Sequence, residues 1–405
     1  MDGFRKLPSS AVSVDPWTAK TTQGELDDLR KLVESSNIAK PVFENMQEDN
    51  RYGVTRKWLS EARDYWLNKF FWQNCEDRIN SFPNFKTAVE YDGTVYQIHF
   101  VALFSQKSDA VPVMSIHGWP GSFLEFLPMM SHIRDTYTPE TLPFHLIIPS
   151  MPGYGFSSAP PIHKNFTTID TAHIFNKLMV QNLGFVSGYI TQGGDVGSFV
   201  ARYMCVHNEE CKGVHLNFCP ISKPPASHPA ESLTAFEQEC LQRCTEFETT
   251  GYAYAIEQGT RPSTLGLALA SSPAALLAWI GEKFLTWSDV DPSLDTILED
   301  VTLYWLTGTI PSSFYSYRMR FEGTRLGHDH PDVYLKKPFG YSLFPKEILA
   351  MPRSWAATTG ELGWFRQHDS GGHFAALEKP EEMSKDLADF VEHVVREQKL
   401  TSEPA

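Results

Sequence analysis

Four short segments hold residues whose types and spacing can do covalent chemistry. In Gly193-Gly194-Asp195-Val196-Gly197 a carboxylate stands between glycines, where a β-patterned run, GYITQGGD, meets a helical one, VGSFVARYMCV. Glycines on both sides let the backbone take the sharp turn that pushes one side chain out as a nucleophile. The plainer alternative is an aspartate that merely caps the following helix. The second segment, His117-Gly118-Trp119-Pro120-Gly121, closes the run VPVMSIHG. A turn there can aim a backbone N–H at developing negative charge, with a second donor from the residue after the nucleophile. Trp119 and Val196 are therefore the candidate oxyanion donors. Third, His373 follows Gly371-Gly372 between the last β-patterned run, GWFRQHD, and the last helical one. That is the place of the base in the chain order nucleophile, acid, histidine. Fourth, this order asks for an acid after the preceding strand. Glu347 in FPKEIL fits, with a surface glutamate as its bland reading; Asp369 is second choice, since four residues before the histidine it is poorly placed to orient it.

Positioning these residues requires a framework. Residues 1–85 are helical in pattern, with Trp58, Ala62, Trp66 and Phe70 recurring every four positions, and read as an N-terminal arm. TAVEYDG and TVYQIHFVALF read as a hairpin turning at Asp92 and Gly93. From VPVMSIHG onward strands alternate with helices: SFLEFLPMMSHI, FHLIIPS, TIDTAHIFNKLMVQNLG stopped by Gly184, the elbow segment and GVHLNF. Such alternation predicts an α/β fold with a parallel sheet covered on both faces and a site at the strand carboxyl ends. The rhythm is lost after Pro220, so 86–220 reads as the first part of the core, 221–334 as an inserted helical cap, and 335–405 as the second part. The chain closes on a helix opened by Pro380, with Met383, Leu387, Phe390, Val391 and Val394 on one face.

Composition narrows the function classes. With 35 Lys plus Arg against 49 Asp plus Glu, the net charge of −14 and the lack of a basic cluster argue against nucleic acid or anionic membrane as partners. Six cysteines show no CxxC pair and no Cys/His spacing typical of zinc. Cys240 with Cys244, and His328 with His330, offer two ligands each, too few for a metal site. Like His368, that histidine pair reads as solvated loop residues. The expectation is no metal and no cofactor. MDGFRKLPSS lacks the apolar stretch of a signal peptide, and the apolar run from Leu265 to Ile280, short for a membrane span, reads as a buried helix. A cytoplasmic, reduced protein is the expectation.

Taken together, HGWPGSF, SMPGYGFSS, QGGDVGSF, YAIEQGTRPST and SGGHFAALEKP closely resemble the microsomal-type epoxide hydrolases, above all their soluble fungal members, nearly over the full length. The resemblance implies an α/β-hydrolase fold with a helical cap and an N-terminal arm. It also implies a triad that maps onto Asp195, Glu347 and His373, and a homodimer. Both Glu and Asp serve as the acid among such enzymes.

A carboxylate nucleophile suits displacement at a saturated carbon, giving an alkyl-enzyme ester, where a serine suits a carbonyl. An epoxide oxygen leaving as alkoxide needs donors that stay protonated at neutral pH, a need tyrosine meets. Among the tyrosines of 221–334 the resemblance selects Tyr254 and Tyr317. Tyr315, two positions from Tyr317, points away on a helix. The implied partners are a small apolar epoxide and water, the epoxide held in an apolar pocket. Two other readings remain. Haloalkane dehalogenases share the fold and the aspartate but commonly carry a tryptophan after it, where this chain has Val196; a noncatalytic small-molecule binder on the same fold is the other.

Overall fold

Nine strands form one sheet in the computed structural model, which describes residues 2–49, 51–229 and 232–398. They are β1 (Val14–Pro16), β2 (Asn84–Tyr91), β3 (Thr94–Leu103), β4 (Val111–Ile116), β5 (Phe144–Pro149), β6 (Tyr189–Gly193), β7 (Cys211–Leu216), β8 (Leu335–Leu343) and β9 (Gly360–Gln367). Their spatial order is β1-β2-β3-β5-β4-β6-β7-β8-β9. The hairpin β2–β3 turns at Asp92 and Gly93, β3 meets β5 antiparallel, and every pairing from β5 through β4 to β9 is parallel. All five residues of β6 are buried, which explains why the central strands read as continuous apolar runs.

The strand order places the site. From β4 the chain steps to β5 on one side, then crosses back to β6 on the other, so β4 and β6 are neighbours whose outgoing connections diverge. Their carboxyl ends are in register, Ile116 opposite Gly193, and a crevice opens where the order reverses. Glycine is demanded at both ends of the elbow. A Cβ on Gly197 would come within 2.1 Å of the Ile116 carbonyl oxygen, and one on Gly193 within 2.4 Å of the Gly197 carbonyl oxygen.

Helices close both faces. The Pro380–Gln398 helix buries Met383, Leu387, Phe390, Val391 and Val394. At about 1.5–3 kcal/mol per fully buried apolar side chain, this one stripe is a sizeable part of what holds the C-terminal segment to the sheet. Among the described residues, six α-helices lie between β7 and β8, from Ala235–Glu246 to Tyr315–Phe321. The N-terminal helices Gln23–Ser35, Arg56–Asn68 and Trp72–Asn80 pack on them. Tyr65 donates to Asp295 at 3.1 Å, Arg78 pairs with Glu299, and a Cβ on Gly281 would strike the Trp58 ring.

Three expectations are corrected. The N-terminal segment is not only helical: Val14–Pro16 pairs antiparallel with β2 and forms the sheet's edge. Three residues are too few to display an alternation, and this strand exists only because the edge of β2 is there to receive it. The run from Leu265 to Ile280 is not one buried helix. Ser272 caps a new helix with Pro273 in its first turn, so Pro262–Leu269 and Pro273–Trp287 meet at 116°, and Leu267 is left 73% exposed. Among the described residues no single helix is long and apolar enough to cross a membrane. Finally, His328 and His368 are not solvated. His328 is buried, stacked on Phe199 and bonded through Nε2 to Ser198 Oγ at 3.0 Å, and His368 contacts Asp386 at 2.7 Å against the Phe344 ring.

Candidate functional site

Asp195 sits at the apex of the β6-to-helix turn with φ of +41°, a left-handed conformation that non-glycine residues adopt only under constraint. The constraint is the close packing of Gly193 and Gly197 beneath it. The Trp119 N–H donates to Asp195 Oδ1 at 2.7 Å. His117 holds that loop in place: its Nδ1 donates to the Gly118 carbonyl at 3.0 Å, while its Nε2 accepts from the Met151 N–H at 3.1 Å. Burial pushes the His117 pKa down to about 4, so it serves as a neutral brace. Val196 follows in the first turn of the Asp195–His207 helix, where amides have no intrahelical acceptor. Among the described residues only the Trp119 amide reaches the carboxylate.

His373 arrives from the loop after β9. Its Nε2 lies 3.6 Å from Asp195 Oδ2, and its Nδ1 donates to Glu347 Oε1 at 2.7 Å. Glu347 reaches that point from the loop after β8, where the Ile348 N–H also donates to Oε1, at 2.6 Å. Both side chains are buried. Asp369 is exposed and takes no part, so of the two acids it is Glu347 that meets the histidine. Burial alone would lower the His373 pKa. The charges and hydrogen bonds of Glu347 and Asp195 outweigh it and hold the imidazole well above its ordinary value, so the resting ring is an imidazolium between two carboxylates.

Tyr254 and Tyr317, on the helices Ala253–Thr260 and Tyr315–Phe321, line the same cavity of about 250 Å³ as Asp195. The Tyr254 ring stacks on Trp119 at 5.4 Å and meets Tyr317 edge-on at 5.7 Å. Burial first, and the Asp195 charge after it, keep both phenols well above the usual tyrosine pKa, so both remain donors. The buried Tyr317 hydroxyl has no hydrogen-bond partner among the described residues. Tyr315 points the other way, its hydroxyl 3.0 Å from Thr171 Oγ1. The cavity is not uniformly apolar as expected: Phe218, Phe247 and Leu349 share its wall with Glu248, Arg320 and Arg325.

The match with known proteins spans nearly the whole chain. Residues 14–126 match the family described as epoxide hydrolase N terminus, and residues 111–238 match the alpha/beta hydrolase fold. A putative epoxide hydrolase of Dothistroma septosporum is 42% identical over 398 residues, 97% of this chain and 93% of that protein. The chain belongs to the epoxide hydrolase family. Epoxide hydrolase 1 of Sus scrofa is 32% identical over 424 residues, covering 96% of this chain and 91% of that one. The solved structure of Aspergillus niger epoxide hydrolase superimposes with a TM-score of 0.92 at 51% identity, over 96% of this chain and 99% of that one. Juvenile hormone epoxide hydrolase from the silkworm Bombyx mori does so with a TM-score of 0.83 at 26% identity, over 96% of each chain. The chain is thus a hydrolase of the α/β-hydrolase fold, and the family likeness seen in five motifs extends over nearly its whole length.

Several members of this epoxide hydrolase site escape motif reading. Trp287, at the end of the Pro273–Trp287 helix, accepts the His373 N–H through its carbonyl at 2.9 Å and packs its ring edge-on against the imidazole at 5.0 Å. Glu378 gathers the N–H groups of Asp289, Gly372 and Phe374 at 2.7, 3.2 and 3.0 Å, fastening the histidine loop to the end of that helix. A Cβ at Gly372 would lie 2.6 Å from the Trp287 carbonyl oxygen, so the second glycine of SGGH serves a close approach between two distant segments. No local pattern around Trp287 signals this contact.

Proposed function

We propose that this chain converts epoxides to vicinal diols through a covalent ester on Asp195. The observation that carries the reading is the division of labour on one carboxylate: Oδ1 is held by the Trp119 N–H and Oδ2 faces His373, while Asp195 lines the same cavity as Tyr254 and Tyr317. Oδ2 attacks one epoxide carbon. The ring C–O bond breaks, and Tyr254 and Tyr317 hydrogen-bond the leaving oxygen, one of them supplying its proton. Protonated phenols suit this, since a tyrosinate could do neither.

The ester carbonyl oxygen is then Oδ1, already in its hydrogen bond. Forming the ester removes the Asp195 charge, one of the supports of the imidazolium, so the His373 pKa falls just when a base is needed. The proton His373 gives up restores the tyrosine that protonated the leaving oxygen; neutral His373 then takes a proton from water, the water oxygen adds to Asp195 Cγ, and the Trp119 N–H, joined by that of Val196, holds the oxyanion. Collapse breaks the ester bond, the imidazolium returns a proton to the departing diol oxygen, and the Asp195 carboxyl passes its remaining proton to His373, restoring the resting pair. Glu347 orients the ring and stabilises its positive form, as the acid of a triad does.

The substrate class is an epoxide whose reacting end meets the aromatic wall of Tyr254, Phe218 and Phe247, with polar substituents tolerated toward Arg320 and Arg325. A cytoplasmic location accords with six buried free cysteines. The test is mass spectrometry of the His373→Gln variant after exposure to styrene oxide. The Asp195 peptide is expected to gain the mass of one substrate; an unmodified peptide alongside continuing diol formation would mean that water attacks the epoxide directly.

A further inference from the structure

Beside Asp195 lies a second, much smaller cavity, separate from the one the tyrosines line. It measures about 10 Å³, room for a single water molecule, and its polar lining is Asp195, His373 and Glu125, with Trp119, Phe374 and three glycines around them. Glu125 comes from the short turn Phe123–Phe126 that follows the Trp119 loop, with Ser122 capping that turn. Its carboxyl group accepts no hydrogen bond from the described residues, and the residue is only partly exposed. The space for it is made by Gly121, where a Cβ would lie 1.9 Å from Glu125 Oε2. Nothing in the ester mechanism above uses this side chain.

We propose that Glu125 binds the hydrolytic water and is a catalytic residue of the second half-reaction. The inference rests on the ester reading. A water in this cavity has two O–H bonds to place and one lone pair to present to Asp195 Cγ. One O–H donates to His373 Nε2, the base. The other needs an acceptor, and among the described residues lining the cavity the Glu125 carboxyl is an acceptor that stands without a partner. With both hydrogens fixed, the lone pair is aimed at the ester carbon, and a bimolecular attack becomes one within an aligned assembly. The proton ledger is unchanged: the proton passes to His373 and thence to the diol oxygen, and Glu125 neither gains nor loses one.

The surroundings keep Glu125 in the form this role needs. Burial first, then the charges of Asp300 and Asp195, push its pKa well above the usual carboxylate range, against the opposing charge of His373. Asp300, which accepts from Ser122 Oγ at 2.6 Å, is itself pushed up to about 7, chiefly by burial. A neutral acid adds no second negative charge beside the resting Asp195 carboxylate, yet its carbonyl oxygen still accepts a hydrogen bond.

The test is single-turnover kinetics with styrene oxide, following formation and decay of the Asp195 ester by rapid quench and intact mass. For Glu125→Leu, ester formation should stay within about 3-fold of native while its hydrolysis slows by ~10²-fold, the size of effect that loss of water alignment produces. Ester should then accumulate at steady state. Glu125→Gln, which keeps a carbonyl acceptor, should recover most of the lost rate. Hydrolysis at the native rate in Glu125→Leu overturns the proposal, as does an equal fall in both steps, which would mark a structural role. Should Glu125→Leu fail to fold, Glu125→Asp pulls the acceptor back by one carbon and must also accumulate ester; native hydrolysis there overturns the proposal equally. If the His373→Gln variant forms no ester at all, it is the ester mechanism that falls, a result distinguishable from any of these.

Discussion

The carboxyl edge of the sheet and the helices between β7 and β8 build the two walls of one cavity, and they do so by different means. At the sheet edge, position follows from the backbone. Strand ends in register, an aspartate at positive φ, and glycines that admit no Cβ leave Asp195 and the Trp119 amide one arrangement. In the helical wall, position follows from side-chain packing. Tyr254 is set by its stack on Trp119 and its contact with Tyr317, and His373 is tied to that wall by the Trp287 carbonyl. The first wall is therefore intolerant of any added atom, whereas the second can be trimmed group by group with graded effects.

The largest test of this contrast lies at the elbow. Asp195→Ala should lower epoxide turnover by at least ~10⁴-fold, since no other group can form the ester. Gly197→Ala should act on the fold instead: with only 2.1 Å to the Ile116 carbonyl oxygen, it should cost ~2 kcal/mol or more of stability, read as a lower melting temperature or loss of soluble protein. In the helical wall, Tyr254→Phe and Tyr317→Phe should each slow ester formation by ~10- to 10²-fold, with the ester's hydrolysis little changed in stopped-flow traces. If either slowed hydrolysis alone, the two walls would not divide the half-reactions as drawn.

Charge supplies a subtler test. The folded His373 pKa is raised, so the ring is protonated below that value and neutral above it. Removing the Glu347 charge in Glu347→Gln should shift the titration downward, because burial then goes less opposed, and ¹⁵N NMR of the histidine ring reads the direction. An unmoved titration would place the support elsewhere. The smallest effect is expected one turn from the site. Tyr315→Phe gives up only the Thr171 hydrogen bond and should cost ~1 kcal/mol in a denaturant melt while ester formation is kept, sharpening the difference from Tyr317 two residues on.

How much of this was legible beforehand follows the same division. The hairpin at Asp92-Gly93, the alternating strands and helices from Val111, and the final helix with Met383 and Leu387 inward all declare themselves by local period and turn chemistry. The strand Val14–Pro16 does not, being too short to show a period and defined only by its neighbour. The break at Ser272-Pro273 carried its signal, a cap residue before a proline, but the apolar composition around it suggested continuity. Glu347 and Asp369 were separable only by argument about reach, and the 2.7 Å contact places Glu347 at the histidine. Nothing in the residues around Trp287 marks it as part of the histidine's surroundings, because it acts through the backbone of a segment more than 80 residues away, and Glu378 likewise reaches Asp289 across a similar separation.

Sequence by itself determined the kind of chemistry. A carboxylate between glycines, a donor turn, an acid and a histidine in that order point to the atoms of the proposed reaction, because covalent geometry restricts the backbone that such turns can adopt. Family membership follows from the same motifs. Tertiary structure alone decided how the charges balance and where water can stand. The His373 imidazolium between Glu347 and Asp195, the unpaired Tyr317 hydroxyl, and Glu125 facing a cavity the size of one water all depend on distances between segments far apart in the chain. Electrostatic energies and packing voids are set by those distances, and a linear order of residues does not contain them.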